Sequence, residues 1–161
     1  MSETAKHREA FLPYCVGNGL DIGYGGDPIT ETAITLDQEH RYSHEGNHPQ
    51  NLVADAAVLS MFADDALDYV YSSHCIEDFE DTAGVLREWL RIVKRRGYLC
   101  LLFPDERVYR IKSKTCNVAH VHDDFGLQFV MDRLPDNCKI ITAEQMFHGD
   151  DYNCILIVKK C

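Results

Sequence analysis

The sequence has few basic residues, and it has no apolar run long enough to cross a bilayer. Its 161 residues include 16 Lys and Arg against 26 Asp and Glu, which gives a formal net charge of −10. Because phosphate binding depends on clustered Lys and Arg, this balance disfavours a broad surface for nucleic acid or for an anionic membrane. The first residues also lack the apolar core of a signal peptide, so we expect a cytoplasmic protein.

The cysteines contain no Cys-x-x-Cys pair, and their number, seven, is odd. Several lie in apolar runs, so we expect reduced, mostly buried thiols, as in a cytosolic protein. The sequence also has no internal repeats and no low-complexity tracts. With 45% hydrophobic residues, it suffices for one domain with a real core. Residues 1–161 are therefore expected to form a single domain, with residues 1–17 as an N-terminal helix or arm.

The stretch from Gly19 to Ile29 places an acid and an apolar residue directly before a glycine-rich turn. Such a turn lets a ligand approach the backbone, although a purely structural turn is the alternative. A dinucleotide site needs a helix at the last glycine to hold the pyrophosphate. Here Asp27 and Pro28 follow at once and the next strand-like run begins at Ala33, so there is scarcely room for that helix. S-adenosylmethionine has no phosphate group to hold, and a carboxylate such as Asp21 would suit its methionyl ammonium. The spacing therefore favours an adenosyl cofactor over NAD.

Polar residues follow several predicted strands at the point where each strand ends. Asp37 follows the second strand, Asp55 ends a third strand at residues 51–55, and Ser72 to His74 follow the fourth. This arrangement is typical of a parallel sheet whose functional site lies at the carboxyl ends of the strands. An acid after the second strand of a nucleotide-binding fold accepts hydrogen bonds from ribose hydroxyls, although strand ends also carry Asp for turn reasons alone.

The second half of the chain predicts a βαβ unit. A helix with one apolar face begins near Asp81 or Thr82 and is expected to end at Gly97, before a buried strand at residues 98–103. The basic cluster Lys94 to Arg96 would then lie at the helix end, where cations favour the dipole.

The remaining segments predict a linker, a helix and a hairpin. Residues 107–114 are expected to be a basic linker, and Asp123 or Asp124 to cap a second helix. Strands at residues 139–147 and 153–159 are expected to form a terminal hairpin. This hairpin implies an antiparallel strand at the edge of the sheet.

Three histidines at four-residue spacing, His40, His44 and His48, would share one face of a helix and suggest a metal site. Gly46 and Pro49 disfavour that helix. A solvated loop is the favoured interpretation, and no metal is expected. A zinc-dependent protein is the alternative.

Residues 19–158 together resemble a class I S-adenosylmethionine-dependent methyltransferase of the small, single-domain, type 11 kind. Residues 20–26 resemble the first motif of that family, and residues 62–79 are similar to its fourth-strand signature, the most specific match. Residues 91–99 resemble the helix, glycine and fifth strand that follow. The resemblance implies an α/β, Rossmann-like fold: a mostly parallel seven-stranded sheet with an antiparallel terminal strand and helices on both faces.

The resemblance also implies S-adenosylmethionine as the cofactor. The first motif would surround the methionyl part of the cofactor. Asp37, the acid after the second strand, would bind the ribose, and Asp55 with Ala56 would contact the adenine. The expected cofactor-binding residues are Asp21, Gly23, Gly25, Asp37, Asp55, Ala56 and Ser72. Two features depart from the family pattern: Tyr24 stands where a smaller residue is common, and the first crossover is too short for the usual helix.

Methyl transfer from a sulfonium is an in-line displacement, so the protein mainly aligns donor and acceptor. A general base is needed only where the acceptor loses a proton, as a hydroxyl would. His74, His120 and His122 are the candidates because imidazole titrates near neutral pH, with capping or packing as the alternative. The pattern from His120 to Phe125 resembles one found in relatives associated with sugar or cell-surface modification, although this analogy by itself sets no substrate. The expected acceptor is a hydroxyl of a sugar or of another small molecule.

Two other classes of function are open. An NAD(P)-linked reductase would need the helix that the first crossover lacks. A non-catalytic S-adenosylmethionine-binding subunit would keep the fold without turnover, with a pocket closed by Tyr24 and the N-terminal arm. The expected partner is a small-molecule substrate. No broad nucleic-acid surface and no membrane partner are expected, and the oligomeric state is left open.

Overall fold

The computed structural model describes residues 1–39, 48–113 and 117–161, which form seven strands and four α-helices. In chain order these are α1 (Glu3–Phe11), β1 (Gly19–Ile22), β2 (Ile34–Asp37), β3 (Leu52–Val53), β4 (Leu67–Ser73), α2 (Thr82–Ile92), β5 (Val93–Pro104), α3 (Glu106–Ser113), α4 (Leu127–Met131), β6 (Cys138–Met146) and β7 (Asn153–Lys160). The strands form one sheet in the order β3-β2-β1-β4-β5-β7-β6.

The first five strands of the chain run parallel to one another. β1 lies at the centre of this part, with Ile22 opposite Leu36 of β2 and opposite Ser72 of β4. All four residues of β1 are buried, as is typical of a parallel strand that is covered on both faces. The carboxyl ends of β1, β2 and β4 therefore lie at the same edge of the sheet.

The last strand, β7, runs antiparallel to β5 and to β6, which confirms the mostly parallel sheet with a reversed terminal strand. The expectation that this strand lies at the edge is wrong, because β7 is inserted between β5 and β6. The residue pattern explains this order. Residues 153–158 of β7 are all buried, whereas β6 is largely exposed and can face water at the edge.

Helices cover both faces of the sheet, as expected. On one face, Phe11 of α1 packs edge-on against Tyr71 of β4, with ring centroids 5.0 Å apart. On the other face, α2 buries Trp89 completely, and its indole Nε1–H donates to the Ala56 carbonyl at 2.8 Å. Among the helices of the described residues, none has both the length and the apolar character needed to cross a membrane.

The helix of the βαβ unit does not end at Gly97, so that expectation is wrong. α2 begins after Asp81 as expected, but it ends at Ile92, and β5 follows directly. Gly97 serves a different purpose, because a Cβ there would lie only 2.5 Å from the Asp68 carbonyl oxygen of the neighbouring strand. The basic cluster Lys94 to Arg96 therefore lies in β5 and not at a helix end, and Lys94 Nζ lies 2.7 Å from Asp68 Oδ1.

The basic linker expected at residues 107–114 is mostly helical, since α3 covers that stretch up to Ser113. Arg110 Nε lies 2.8 Å from Glu106 Oε1, a pair at i,i+4 spacing that supports a helix. The positive charge of Arg110 is thus used within the fold.

The helix that was expected to begin at Asp123 or Asp124 begins later in the chain. α4 follows Gly126, and no side chain caps it, so neither Asp123 nor Asp124 is its N-cap. Asp123 Oδ1 instead lies 2.6 Å from Arg110 Nη2 of α3. Asp123 therefore forms an ion pair with α3 instead of the helix cap that the sequence suggests.

We expect Trp89→Phe to lower the free energy of unfolding by about 2–3 kcal/mol, because the Ala56 carbonyl loses its partner and a small cavity forms. Urea denaturation measures this change. Arg87→Ala, on the exposed side of the same helix, is the control and should change stability by at most about 0.5 kcal/mol. Equal losses in the two variants would contradict the structural role of Trp89.

Candidate active site

The turn after β1 has the backbone conformation that requires glycine. The φ angles are +67° at Gly23, +58° at Gly25 and +96° at Gly26. Gly23 N–H donates to the Leu36 carbonyl at 2.8 Å, which ties the turn to β2. A Cβ at Gly23 would lie 2.9 Å from Cys75 Cβ, so this position excludes any larger residue. The turn therefore leaves its peptide groups open to a ligand.

The connection between β1 and β2 contains no helix: residues 23–33 form turns and bends, as the sequence predicts. The N-terminal helix holds this connection in place. Arg8 of α1 pairs with Asp27 at 2.6 Å and also donates to the carbonyls of Pro28 and Ile29. The guanidinium thus substitutes for the packing that a crossover helix would provide.

A first cavity of about 470 Å³ opens beside the glycine turn, between the ends of β1, β2 and β3. Its wall combines apolar side chains with three acidic residues, Asp37, Glu39 and Asp55. The residues that line it are Ile22, Gly23, Leu36, Asp37, Gln38, Glu39, Val53, Ala54, Asp55, Ala56, Cys75 and Phe79. An apolar slot with a few polar groups at its rim suits a flat base attached to a sugar.

Two of the three acids of this cavity, Asp37 and Asp55, accept hydrogen bonds from backbone groups. Asp37 Oδ2 accepts from Gly25 N–H at 3.3 Å, so the carboxylate also contacts the glycine turn. Asp55 Oδ1 accepts from Ala57 N–H at 2.8 Å and begins a turn. For that reason β3 ends at Val53, and the expected end of the strand at Asp55 is wrong.

A second cavity of about 300 Å³ adjoins the first and shares Gly23, Asp37, Gln38 and Cys75 with it. The start of the N-terminal helix and the end of β4 form its other walls. The remaining lining residues are Met1, Ser2, Glu3, Thr4, Tyr24, Gly25, Ser73, His74, Asp78 and Asn117. A molecule bound in the first cavity would thus have a neighbouring space for a second molecule.

His74 is the predicted catalytic residue that lies in a cavity wall. Its φ of +52° places a non-glycine residue in the left-handed region, a strain often found at functional sites. Its Nε2 lies 2.7 Å from Asn153 Oδ1. The amide of Asn153 is oriented by donation to Glu3 and Asp151, so Nε2 carries the proton. Burial lowers the pKa of His74, partly offset by the charge of Glu3, which favours the neutral ring.

Glu77 lies behind His74 and is fully buried. Its Oε1 lies 3.6 Å from His74 Nδ1 and 3.7 Å from His120 Nε2, and neither carboxyl oxygen has a hydrogen-bond partner among the described residues. Burial raises the pKa of Glu77 well above its usual range, and the neighbouring charges of Asp78 and Glu106 raise it further. The other nitrogen of His120, Nδ1, lies 2.7 Å from Glu106 Oε2. Glu77 is therefore flanked by the rings of His74 and His120.

Three other predicted residues lie outside both cavity walls. His122 Nε2 lies 3.0 Å from the Phe79 carbonyl, and the ring packs in an aromatic cluster. The Ser72 hydroxyl donates to the Ile22 carbonyl at 3.0 Å and joins β4 to β1. Asp21 Oδ2 accepts from Ile29 N–H at 2.6 Å, while its Oδ1 has no hydrogen-bond partner in the part of the chain that the structure describes. Burial raises the pKa of Asp21, although that hydrogen bond opposes the shift.

The sequence analysis missed several lining residues, among them Gln38, Cys75, Asp78 and Asn117. Asp78 follows β4 by one 3₁₀ turn, so the polar run after His74 was a usable signal. The others have no signal of their own, since tertiary contacts alone bring them to the cavities. Burial raises the pKa of the Cys75 thiol, which is therefore a neutral part of the wall.

Of the three histidines that would form the alternative metal site, the structure describes only His48. His40 and His44 lie outside the described residues. His48 Nδ1 lies 3.6 Å from Glu31, and its carbonyl accepts from the Tyr24 hydroxyl at 3.1 Å. Within residues 1–39, 48–113 and 117–161, no group of three or more His, Cys, Asp or Glu side chains could hold a metal ion.

Comparison with known proteins gives one family and many similar folds. A family model described as "Methyltransferase domain" matches residues 16–101, more than half of the chain. The PH0226 protein of Pyrococcus horikoshii has a TM-score of 0.75 at 18% identity, over 98% of this chain and 89% of that one. No curated protein sequence matches the chain.

Two further structures have names that state an activity or an assembly. A SAM-dependent methyltransferase from Archaeoglobus fulgidus has a TM-score of 0.66 at 18% identity, over 98% of this chain and 92% of that one. A Haloferax volcanii structure of the Trm112 methyltransferase activator with its methyltransferase partner has a TM-score of 0.71 at 16% identity, over 98% and 88%. At these identities the structures establish the fold alone.

We expect Gly23→Ala to destabilise the protein by at least about 1 kcal/mol more than Gly149→Ala does. Both glycines have positive φ, +67° and +58°, so both variants carry backbone strain. Only at Gly23 does the new Cβ meet another side chain, whereas at Gly149 nothing lies within 4 Å. Thermal or urea unfolding measures the two losses. Equal losses would show that the turn has room for a side chain.

We expect the pKa of His74 in the folded protein to lie below the 6.5 of an ordinary histidine, because burial disfavours the charged ring. Since the unfolded state then binds more protons, this residue's contribution to stability is lost as pH falls below about 6.5. NMR titration of the ring Cε1–H, assigned with His74→Gln, measures the midpoint. A midpoint at or above 6.5 would contradict the burial argument.

Proposed function

The chain belongs to the methyltransferase-domain family, and on that basis we propose that it transfers a methyl group to a hydroxyl group of a sugar or another small molecule. It is an S-adenosylmethionine-dependent methyltransferase, so the expected enzyme class, cofactor and Rossmann-like fold are confirmed. The acceptor, the roles of the site residues and the single-domain organisation of residues 1–161 are parts of the proposal.

One observation carries this proposal: the two cavities meet at the glycine turn and share part of their walls. The first cavity has an apolar side near Ala56 and Asp55 for adenine, and Asp37 to accept hydrogen bonds from the ribose. Gly23 and Gly25 leave the backbone accessible for the methionyl part. The second cavity then lies where an acceptor would meet the methyl group.

The proposed transfer needs alignment and one proton acceptor. When bound, S-adenosylmethionine supplies an electrophilic methyl group on a sulfonium. His74 would accept through Nδ1 the proton that the acceptor oxygen loses when it takes up the methyl group, and the demethylated cofactor would be the leaving group. Because the two cavities hold the reactants side by side, much of the acceleration comes from positioning.

His74 is the best placed of the three proposed histidines. Asn153 holds its Nε2–H, which leaves the Nδ1 lone pair to accept a proton. Glu77, 3.6 Å from Nδ1, is the buried carboxyl group next to the imidazolium that would form. His120 would act through Glu77, and a direct catalytic role for His122 stays a prediction without support from its position.

Asp21 and Ser72 are proposed to support cofactor binding through the backbone. Asp21 holds the turn by its hydrogen bond to Ile29 N–H, and Ser72 holds the end of β1 by its bond to the Ile22 carbonyl. A direct contact between Asp21 and the methionyl ammonium stays a prediction. In both cases the side chain positions the glycine turn on which the cofactor would lie.

The two other function classes have less support. A reductase with a dinucleotide would need the helix that residues 23–33 do not form. A binding subunit would need a closed pocket, whereas the first cavity is not lined by Tyr24 or by the N-terminal arm. A small-molecule partner and a cytoplasmic location stay predictions from the sequence.

We expect S-adenosylhomocysteine to bind with micromolar affinity in calorimetry, and Asp37→Asn to weaken binding by about tenfold to a hundredfold, since a hydrogen bond to a charged group contributes about 1.5–3 kcal/mol. Glu80→Gln, an exposed change of the same charge, is the control and should bind as the wild type does. NADH should give no heat. Absence of binding by S-adenosylhomocysteine would overturn the proposed function.

A further inference from the structure

One face of the N-terminal helix α1 carries polar groups towards the interior of the protein. Glu3, His7 and Phe11 are spaced four residues apart, so they lie on the same side of the helix. His7 and Phe11 are buried, and Glu3 is half-buried. Because Ser2 caps the helix by accepting from the Ala5 N–H, the position of Glu3 in the first turn is fixed. Two ionisable side chains of α1 are thus placed against the sheet.

These two side chains converge on Asn153, a buried residue at the start of β7. The amide Nδ2 of Asn153 donates to Glu3 Oε2 at 2.9 Å and to Asp151 Oδ1 at 2.8 Å. His7 Nε2 lies 3.1 Å from Asp151 Oδ2 and 3.2 Å from Nδ2, so α1 also holds the second carboxylate. An amide nitrogen has two hydrogens to donate, and carboxylates accept both of them here.

The oxygen of the same amide faces the proposed catalytic base. Asn153 Oδ1 lies 2.7 Å from His74 Nε2, and an amide oxygen only accepts, so the ring presents its N–H at Nε2. If the amide were turned by half a rotation, its own N–H would face Nε2, and the proton of the neutral ring would move to Nδ1. That turn would bring Oδ1 against the carboxylates of Glu3 and Asp151, with no hydrogen between these oxygens. The two carboxylates therefore decide which ring nitrogen of His74 keeps a free lone pair.

Glu3 also acts on His74 by its charge. Burial would raise the pKa of Glu3, but hydrogen bonds from Lys6 and Asn153 outweigh this effect and lower the pKa, so Glu3 is ionised at neutral pH. Burial lowers the pKa of His74, and the charge of Glu3 is the largest influence that raises it. Other titratable groups near the ring are Lys6 of α1, Glu77 after β4 and His120 before α4.

We propose that Glu3 and Asp151 are positioning residues of the methyltransferase: they fix the Asn153 amide, so that His74 keeps its proton on Nε2 and its lone pair on Nδ1. Since α1 supplies Glu3 and also holds Asp151 through His7, the N-terminal helix is part of the catalytic apparatus and not only a wall of the second cavity. The inference rests on the proposed function, because that function uses Nδ1 of His74 as the proton acceptor.

The tautomer of His74 tests the inference, and the nitrogen chemical shifts of the ring report it at a pH where the ring is neutral. In the wild type we expect the proton on Nε2. In the double variant Glu3→Gln/Asp151→Asn the amide loses both charged acceptors, so the ratio of Nε2–H to Nδ1–H should fall at least about tenfold. Glu9→Gln/Asp150→Asn changes two exposed residues by the same charge and should leave the ratio unchanged.

The pKa of His74 separates the charge of Glu3 from its role as a hydrogen-bond acceptor. Glu3→Gln keeps an oxygen for the Asn153 amide but removes the negative charge, so the charged ring loses a favourable interaction. We therefore expect NMR titration to show the pKa of His74 lowered by at least about 0.5 unit. Glu9→Gln, an exposed change on the same helix, should leave this pKa unchanged. Equal values in these two variants would contradict the role of Glu3.

The outcomes separate this inference from the proposed function. A wild-type ring with its proton on Nδ1 would overturn the inference, and this measurement decides the matter even if a variant does not fold. Equal tautomer ratios in the double variant and its control would also overturn it. Calorimetry with S-adenosylhomocysteine on the same samples tests the proposed function. If this ligand binds and the tautomer does not depend on the two carboxylates, the inference is wrong and the proposed function stands. If the ligand does not bind, the proposed function fails whatever the tautomer is.

Discussion

The parallel register at the centre of the sheet is the constraint on which the site depends. Ile22 of β1 lies opposite Leu36 on one side and Ser72 on the other, so three strands end at one level. The glycine turn, Asp37 and His74 follow these strands directly and are therefore brought together. A shift of one residue in this pairing would turn the side chains of a whole strand to the opposite face. The chemistry of the site is thus set by backbone hydrogen bonds in the core.

Features that follow from a local pattern could be predicted from the sequence. The glycine turn, the acid at Asp37 and the cap at Asp81 each depend on neighbouring residues, and each is where the pattern placed it. The two strands of the terminal hairpin also lie within one residue of the positions that the pattern indicated. Local propensity was misleading where a distant contact decides, as at Gly97, which meets the backbone of β4, and at Asp123, which pairs with α3.

The electrostatics of the site could not be read from charges in the sequence. Glu77 and Asp78 are two acids in an acidic chain. Only the fold shows that both oxygens of Glu77 and Oδ1 of Asp78 are buried without a hydrogen-bond partner among the described residues. Conversely, His122 has the spacing of a functional residue, yet its ring nitrogen is used by a backbone carbonyl. The environment of each group decides between a catalytic and a structural role, and that environment comes from segments far apart in the chain.

The position of the N-terminal helix has a practical consequence for handling the protein. Residues 1–4 form part of the wall of the second cavity, and Arg8 clamps the connection beside the glycine turn. A purification tag fused ahead of Met1 would begin at the mouth of that cavity and compete with small molecules for it. Because β7 runs against the parallel strands, Cys161 lies at the opposite edge of the sheet, where its N–H donates to the Asn137 carbonyl. A fusion at that end leaves both cavities accessible for ligand screening.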